Sequence, residues 1–209
     1  MGSDDLATDR LLCQARNGDG VAVGALFARH RDRLRRMVAV WMDARLKARI
    51  DASDVIQDAM AEAARKLPDY LDERPCAFYP WLRQIAWKHL VTLHRRHVSA
   101  QRRSVTREAP ADLYPSNEST ILFAERFAAS STSIPGRLVR KELHQRVQHA
   151  LERLAPGDRE VVVLLSLEQL SLAEVADVLG VSVEAARSRY RRAIERLHQQ
   201  LTNGSEKLP

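Results

Sequence analysis

Over most of the chain the apolar residues recur three and four positions apart, and that spacing confines the fold to helices. It puts Leu26, Phe27, Leu34, Met37, Val38 and Trp41 on one stripe of a helix from about Val21 to Met42. Strands would need alternation at every second residue with hairpin turns between them, and no Asn-Gly turn sits between alternating apolar runs. A first helix is expected over about Leu6 to Arg16, ended by the turn-forming run Asn17-Gly18-Asp19-Gly20. Asp51 and Asp54 offer N-caps for a helix through Lys66, which Pro68 should stop. A further helix should begin near Pro80, with Trp81, Leu82, Ile85, Ala86, Leu90 and Leu93 turned inward. The fold class is all-α.

The pattern breaks between Gln101 and Gly136, where Pro110, Pro115, Pro135 and the run Ser130 to Ser133 leave only a short amphipathic piece, Ile121 to Phe127. We read residues 100–136 as a flexible linker, with room for one transient helix, between two small helical domains, 1–99 and 137–209. A chain of 209 residues suits two domains of about 100. The second is expected to hold four helices. Lys141 to Leu154 aligns Leu143, Val147, Leu151 and Leu154. Pro156-Gly157-Asp158 restarts the chain into an apolar helix, Glu160 to about Glu168, and two more follow.

Those last two carry the clearest local signal. Ser171 with Glu174 forms a capping box, Leu172, Val175, Ala176 and Leu179 make an apolar face, and Gly180 supplies a left-handed turn. Ser182 can cap the next helix, which would bury Val183, Ala186, Tyr190, Ala193, Ile194, Leu197 and Leu201. Left outside are Ser182, Glu184, Arg187, Ser188, Arg189, Arg191, Arg192 and Arg196. A short helix, a glycine turn and a longer helix with a cationic, hydrogen-bonding face is the pattern of a helix-turn-helix, whose second helix enters the DNA major groove. Arginine's planar fork suits both phosphate and guanine edges. A plain helical hairpin with a solvated basic face fits the same residues.

Charge is unevenly spread around a net of +6. From Trp81 to Arg107 there are seven basic residues (Arg83, Lys88, Arg95, Arg96, Arg102, Arg103, Arg107) and no acid. Trp87 among these cations suits stacking on separated bases, though a half-buried tryptophan at a domain edge would look alike. From Asp51 to Glu73 the sign reverses, with seven acids against Arg65 and Lys66. Asp54, Asp58 and Glu62 follow one another at four-residue steps, a ridge that a basic protein would neutralise and that water alone could also accommodate. Opposite faces imply different partners.

Other classes find little support. The N-terminus is acidic and polar, and no apolar run approaches a membrane span, so a cytoplasmic protein without membrane contact is expected. Cys13 and Cys76 are solitary and are expected to be buried, reduced thiols. No catalytic constellation, phosphate loop or metal-ligand spacing emerges, so no catalytic residue, cofactor or metal is assigned. A free-standing dimeric DNA-binding regulator and an all-α protein adaptor remain as rivals.

Taken together, three segments in order resemble the sigma factors of bacterial RNA polymerase, in particular the small extracytoplasmic-function (ECF) group. "DASDVIQDAM" is similar to the segment that docks on the β′ clamp helices, with Asp54, Gln57 and Asp58 on the family's matching positions. "WLRQIAWKHLVTLHRR" resembles the helix that recognises and opens the promoter −10 element, which implies roles for Arg83, Trp87, Lys88, Thr92, Arg95 and Arg96. The stretch from Leu151 to Leu197 resembles the domain that reads the −35 element. Lys88 and Thr92 depart from the Asn and Asp that many relatives carry. The resemblance implies a non-enzymatic initiation factor whose partners are core RNA polymerase, through its β′ clamp helices and β flap, and promoter DNA. It leaves open an anti-sigma factor as a further partner. A linker of about 35 residues has an r.m.s. span near 33 Å and a stretched limit near 115 Å. Two DNA turns measure about 70 Å, so two tethered readers are compatible with it.

Overall fold

A computed structural model describes residues 3–42, 44–97, 115–130 and 137–203. Among them there are ten α-helices and no strand. The chain divides into two compact units, Met1–Pro110 and Ala111–Pro209.

The first unit holds α1 (Ser3–Arg16), α2 (Gly20–Trp41), α3 (Ala44–Lys47), α4 (Ala52–Glu73) and α5 (Phe78–His97). Its centre is the meeting of α2, α4 and α5, where Leu26, Leu34, Met37, Ala59, Ala63, Leu82, Ala86 and Leu90 are fully buried. α1 lies on α2, and the Thr8 hydroxyl hydrogen-bonds His30 Nε2 at 3.2 Å between them. Asp19 begins α2 by accepting from the backbone N–H groups of Val21 and Ala22.

Two boundaries differ from those expected. α4 does not stop at Pro68 but runs on to Glu73. Pro68 and Ala64, whose carbonyl loses its partner there, are both exposed, so water can take the vacant place. Beyond the proline, Leu67, Tyr70 and Leu71 are buried, and the Tyr70 ring packs on Phe78 and Trp81 at 5.5 and 4.5 Å between centroids. Tertiary burial outweighs the local break. α5 likewise starts at Phe78, before Pro80, because Phe78 and Tyr79 are themselves buried in its first turn.

The second unit holds α6 (Asn117–Ser130), α7 (Arg137–Glu152), α8 (Pro156–Ser166), α9 (Leu172–Leu179) and α10 (Val183–Asn203). α10 packs on α7, α8 and α9; Ala186, Ala193 and Leu197 of α10 are buried, as are Val147 and Leu151 of α7, Val161 and Leu164 of α8, and Val175 of α9. The amphipathic piece expected at Ile121 to Phe127 is part of the 14-residue helix α6, which packs on α7. Those residues are therefore not flexible tether. Phe123 and Ala124 are buried, while Ile121 and Leu122 are exposed. The basic residues Arg102, Arg103 and Arg107, the prolines Pro110 and Pro135, and the side chains of Phe127 and Leu143 lie outside the described residues.

The cysteines correct another expectation: Cys13 is exposed on α1, and Cys76, in the bend between α4 and α5, is half-buried.

Candidate nucleic-acid interface

The helix-turn-helix pair is built by its caps. The Ser171 hydroxyl accepts from the Glu174 N–H, and the Glu174 carboxylate accepts from the Ser171 N–H at 2.9 Å, which closes the capping box. At the other end of α9, Gly180 sits in the left-handed region, φ 62°, ψ 38°. Its N–H donates to the Ala176 and Asp177 carbonyls, and the Val181 N–H donates to the Ala176 carbonyl at 3.0 Å, a Schellman closure. Ser182 Oγ then accepts from the Ala185 N–H, and α10 begins. Only Gly180, Val181 and Ser182 separate the two helices.

This start fixes which side of α10 faces out. Ser182, Glu184, Arg187, Arg191 and Arg192 are exposed and Ser188 is half-buried beside them. Glu184, Arg187, Ser188 and Arg191 follow the three-four spacing of one helical stripe. Arg187 Nη1 donates to Glu184 Oε1 at 3.2 Å, and Arg191 lies 3.8 Å from Glu195, so acids on the same helix hold two of the guanidinium groups. Arg189 and Arg196 turn elsewhere. Arg189 is half-buried, its Nη1 3.9 Å from where a Cβ would stand at Gly157, and Arg196 pairs with Asp158 near the start of α8. Val183, expected inside, is 37% exposed.

On α5, Lys88, Thr92, Arg95 and Arg96 are exposed and Trp87 is half-buried. The Trp87 ring meets Trp41 edge-on, 4.9 Å between centroids, which ties the half-buried indole to α2. The Thr92 hydroxyl donates to the Lys88 carbonyl. Arg83 does not join them. It is 2% exposed, with its guanidinium carbon 5.4 Å from the Trp87 ring centroid, and a side chain buried in that position supports the tryptophan from below instead of presenting charge to solvent.

Along α4, Asp54, Gln57 and Asp58 are exposed, with Val55, Ile56 and Ala59 beneath them in the core. The acidic ridge ends there. Glu62, its expected continuation, accepts from Lys66 Nζ and is paired with His89 of α5. The hydrogen bond from Lys66 first, and that from His89 second, hold the Glu62 carboxyl below the ordinary carboxylate range. This bridge between helices was not legible in the sequence, because 27 residues separate Glu62 from His89 and no local pattern links them. Among the described residues there is no cluster of side chains able to hold a metal ion, and no helix long and apolar enough to cross a membrane.

Two family models match the chain: sigma-70 region 2 over residues 26–100, and sigma-70 region 4 over residues 144–197. The RNA polymerase sigma factor CnrH of Cupriavidus metallidurans is 32% identical over 95% of this chain and 97% of its own length. The chain belongs to the sigma factors of the ECF group. Other relatives agree: the ECF sigma-E factor of Escherichia coli is 29% identical, covering 92% of this chain and 93% of that one. CarQ of Myxococcus xanthus is 31% identical over 89% of this chain and 92% of its own. A solved structure of CnrH in complex with the cytosolic domain of CnrY superimposes with a TM-score of 0.55 at 28% identity, covering 94% of this chain and 98% of that one. As an ECF sigma factor the protein binds core RNA polymerase and promoter DNA and directs promoter-specific initiation of transcription. The first matched region contains α4 and α5, and the second contains the helix-turn-helix.

Proposed function

We propose that three exposed surfaces divide the work of initiation. Asp54, Gln57 and Asp58 on α4 dock the sigma factor on the β′ clamp helices of core polymerase, where their charge would meet a basic partner. On α5, Trp87 stacks on a separated base of the −10 element while Lys88, Thr92, Arg95 and Arg96 hold its backbone. On α10, Ser182, Glu184, Arg187, Ser188, Arg191 and Arg192 read the −35 element in the major groove, with Arg189 bracing the flank toward α8. The second unit would lean on the β flap. The domain limits 1–99 and 137–209 are kept for this division, with α6 an added helix ahead of the −35 reader.

The observation that carries this reading is the α10 stripe: cations and hydrogen-bonding groups aligned on the outer side of a helix whose entry angle a left-handed glycine sets. The protein itself makes and breaks no covalent bond, acts in the cytoplasm, and takes no cofactor. CnrH has been solved with the cytosolic domain of CnrY bound, which supports a regulatory protein partner, an anti-sigma factor, here also.

The test is transcription in vitro with purified core enzyme and genomic fragments. We expect promoter-dependent transcripts only when the chain is added. Tight binding to duplex without polymerase, on a symmetric site, would favour a dimeric repressor instead.

A further inference from the structure

One cationic patch lies outside the three surfaces above. α3 and the residue pair after it carry Arg45, Lys47 and Arg49, all exposed, around Leu46, which is fully buried and anchors the turn. The backbone is held as well, since the Ala48 N–H donates to the Ala44 carbonyl and the Ile50 N–H to the Leu46 carbonyl. The turn that carries these three side chains is therefore fixed in place.

Their position follows from one ring contact. Trp41, the last residue of α2, packs edge-on against Trp87, and Arg45 follows Trp41 by four positions. Even fully extended, that stretch spans no more than about 14 Å. The Arg45 backbone therefore lies within that distance of Trp41, at the end of α2 that packs on Trp87 of α5. One strand of duplex DNA carries a phosphate every ~3.4 Å of helix axis, so a strand passing from Trp87 toward α3 would present several phosphates over that distance.

Resting on the assignment of α5 to the −10 strand, we infer that Arg45, Lys47 and Arg49 form a phosphate-binding extension of that surface, which grips the backbone of promoter DNA beside the stacked base. The contact carries no sequence preference, since lysine and arginine on phosphates position the strand without reading it. Its work is to hold a melted strand on the first unit once the bases have parted, and it gives the open complex part of its salt sensitivity.

The experiment compares holoenzyme, assembled from core polymerase and full-length chain, on a promoter fragment premelted across the −10 region. The triple variant Arg45→Gln, Lys47→Gln, Arg49→Gln is set beside a reference variant, Lys88→Gln with Arg95→Gln. All five side chains are exposed, and circular dichroism checks that the helices are retained. Each lost single-strand phosphate contact should lower the slope of log K against log salt concentration by about 0.7, so the triple variant should lower it by roughly 2. Affinity for core polymerase without DNA should not change. A slope unchanged in the triple variant but lowered in the reference variant overturns this inference and leaves the α5 assignment standing. If neither variant lowers the slope, the α5 assignment fails and takes this inference with it. Weakened binding to core polymerase alone, with an unchanged slope, also overturns it, because the patch would then be a protein contact.

Discussion

Arg159 replaces a C-terminal cap for α7. It is buried, and its Nε donates to the Leu151 carbonyl at 2.9 Å while Nη2 donates to the Glu152 and Leu154 carbonyls at 3.0 and 3.1 Å. Carbonyls at a helix end have no partner in the helix, so one guanidinium satisfies the last turn and ties α8 to it. Lysine has no fork to reach three acceptors. Arg159→Lys should therefore destabilise the second unit by about 2 kcal/mol, from buried carbonyls left without donors. All the tryptophans, Trp41, Trp81 and Trp87, lie in the first unit. The loss should thus appear in unfolding followed by circular dichroism and leave the tryptophan fluorescence transition in place. Glu62 gives a prediction in pH. Its carboxyl is held below the ordinary 4.5, so the unfolded chain binds the proton more readily than the folded one. Its contribution is complete above pH 4.5 and is lost as pH falls through the lower folded value. Glu62→Gln should cost about 0.5 to 1 kcal/mol at pH 7, and the difference from the parent should shrink in urea titrations as the pH is taken progressively below 4.5. Arg187 is poised by Glu184 on the exposed stripe. Arg187→Ala should weaken binding of holoenzyme to its −35 element by about 1 to 3 kcal/mol if it pairs with a base, as read by footprinting across a substitution series. An unchanged footprint removes it from the interface.

At the scale of helices, the turn between α9 and α10 is where the sequence speaks most directly. Nothing lies within 4 Å of a Cβ built on Gly180, so Gly180→Ala meets no neighbour, and its whole cost is the left-handed backbone at φ 62°. That cost is about 1 to 2 kcal/mol. A drop of that size in thermal unfolding, without loss of helix content, is the expected result. The capping box and this glycine were legible because both are local: their partners lie within five residues, and backbone geometry alone selects the residue types. The acidic start of α4 and the basic face of α5 were legible from periodicity. Elsewhere the sequence misled wherever distant packing overrode local preference. Pro68 reads as a stop, yet burial of Tyr70 and Leu71 carries α4 past it. Arg83 reads as part of a basic face, but it falls on the buried side of α5 beneath Trp87. The core of α6 was legible as the amphipathic piece Ile121 to Phe127, but flanking prolines and serines hid its full length, which rests on packing against α7 that no local signal announces.

Across the whole molecule, the proposed division gives the two signs of charge partners that respond differently to the same perturbation. In that division the acids at the start of α4 face a protein, while the cations on α5 and α10 face phosphates. Protein contacts between exposed charges are screened gradually, whereas cations on DNA displace condensed counterions and so give a steep, linear dependence of log K on log salt. Asp54→Asn with Asp58→Asn should therefore weaken capture of core polymerase by about tenfold, roughly 1.4 kcal/mol, without changing the salt slope of the assembled holoenzyme on DNA. Arg187→Ala with Arg191→Ala should do the reverse. The two pairs sit in different compact units and share no partner among the described residues, so their free-energy effects on promoter occupancy should add within about 0.5 kcal/mol in the fourfold variant. A sum that falls well short would mean that core binding itself alters how α10 meets DNA. That coupling is measurable in the same titration, because it would lower the salt slope of the Asp variant alone.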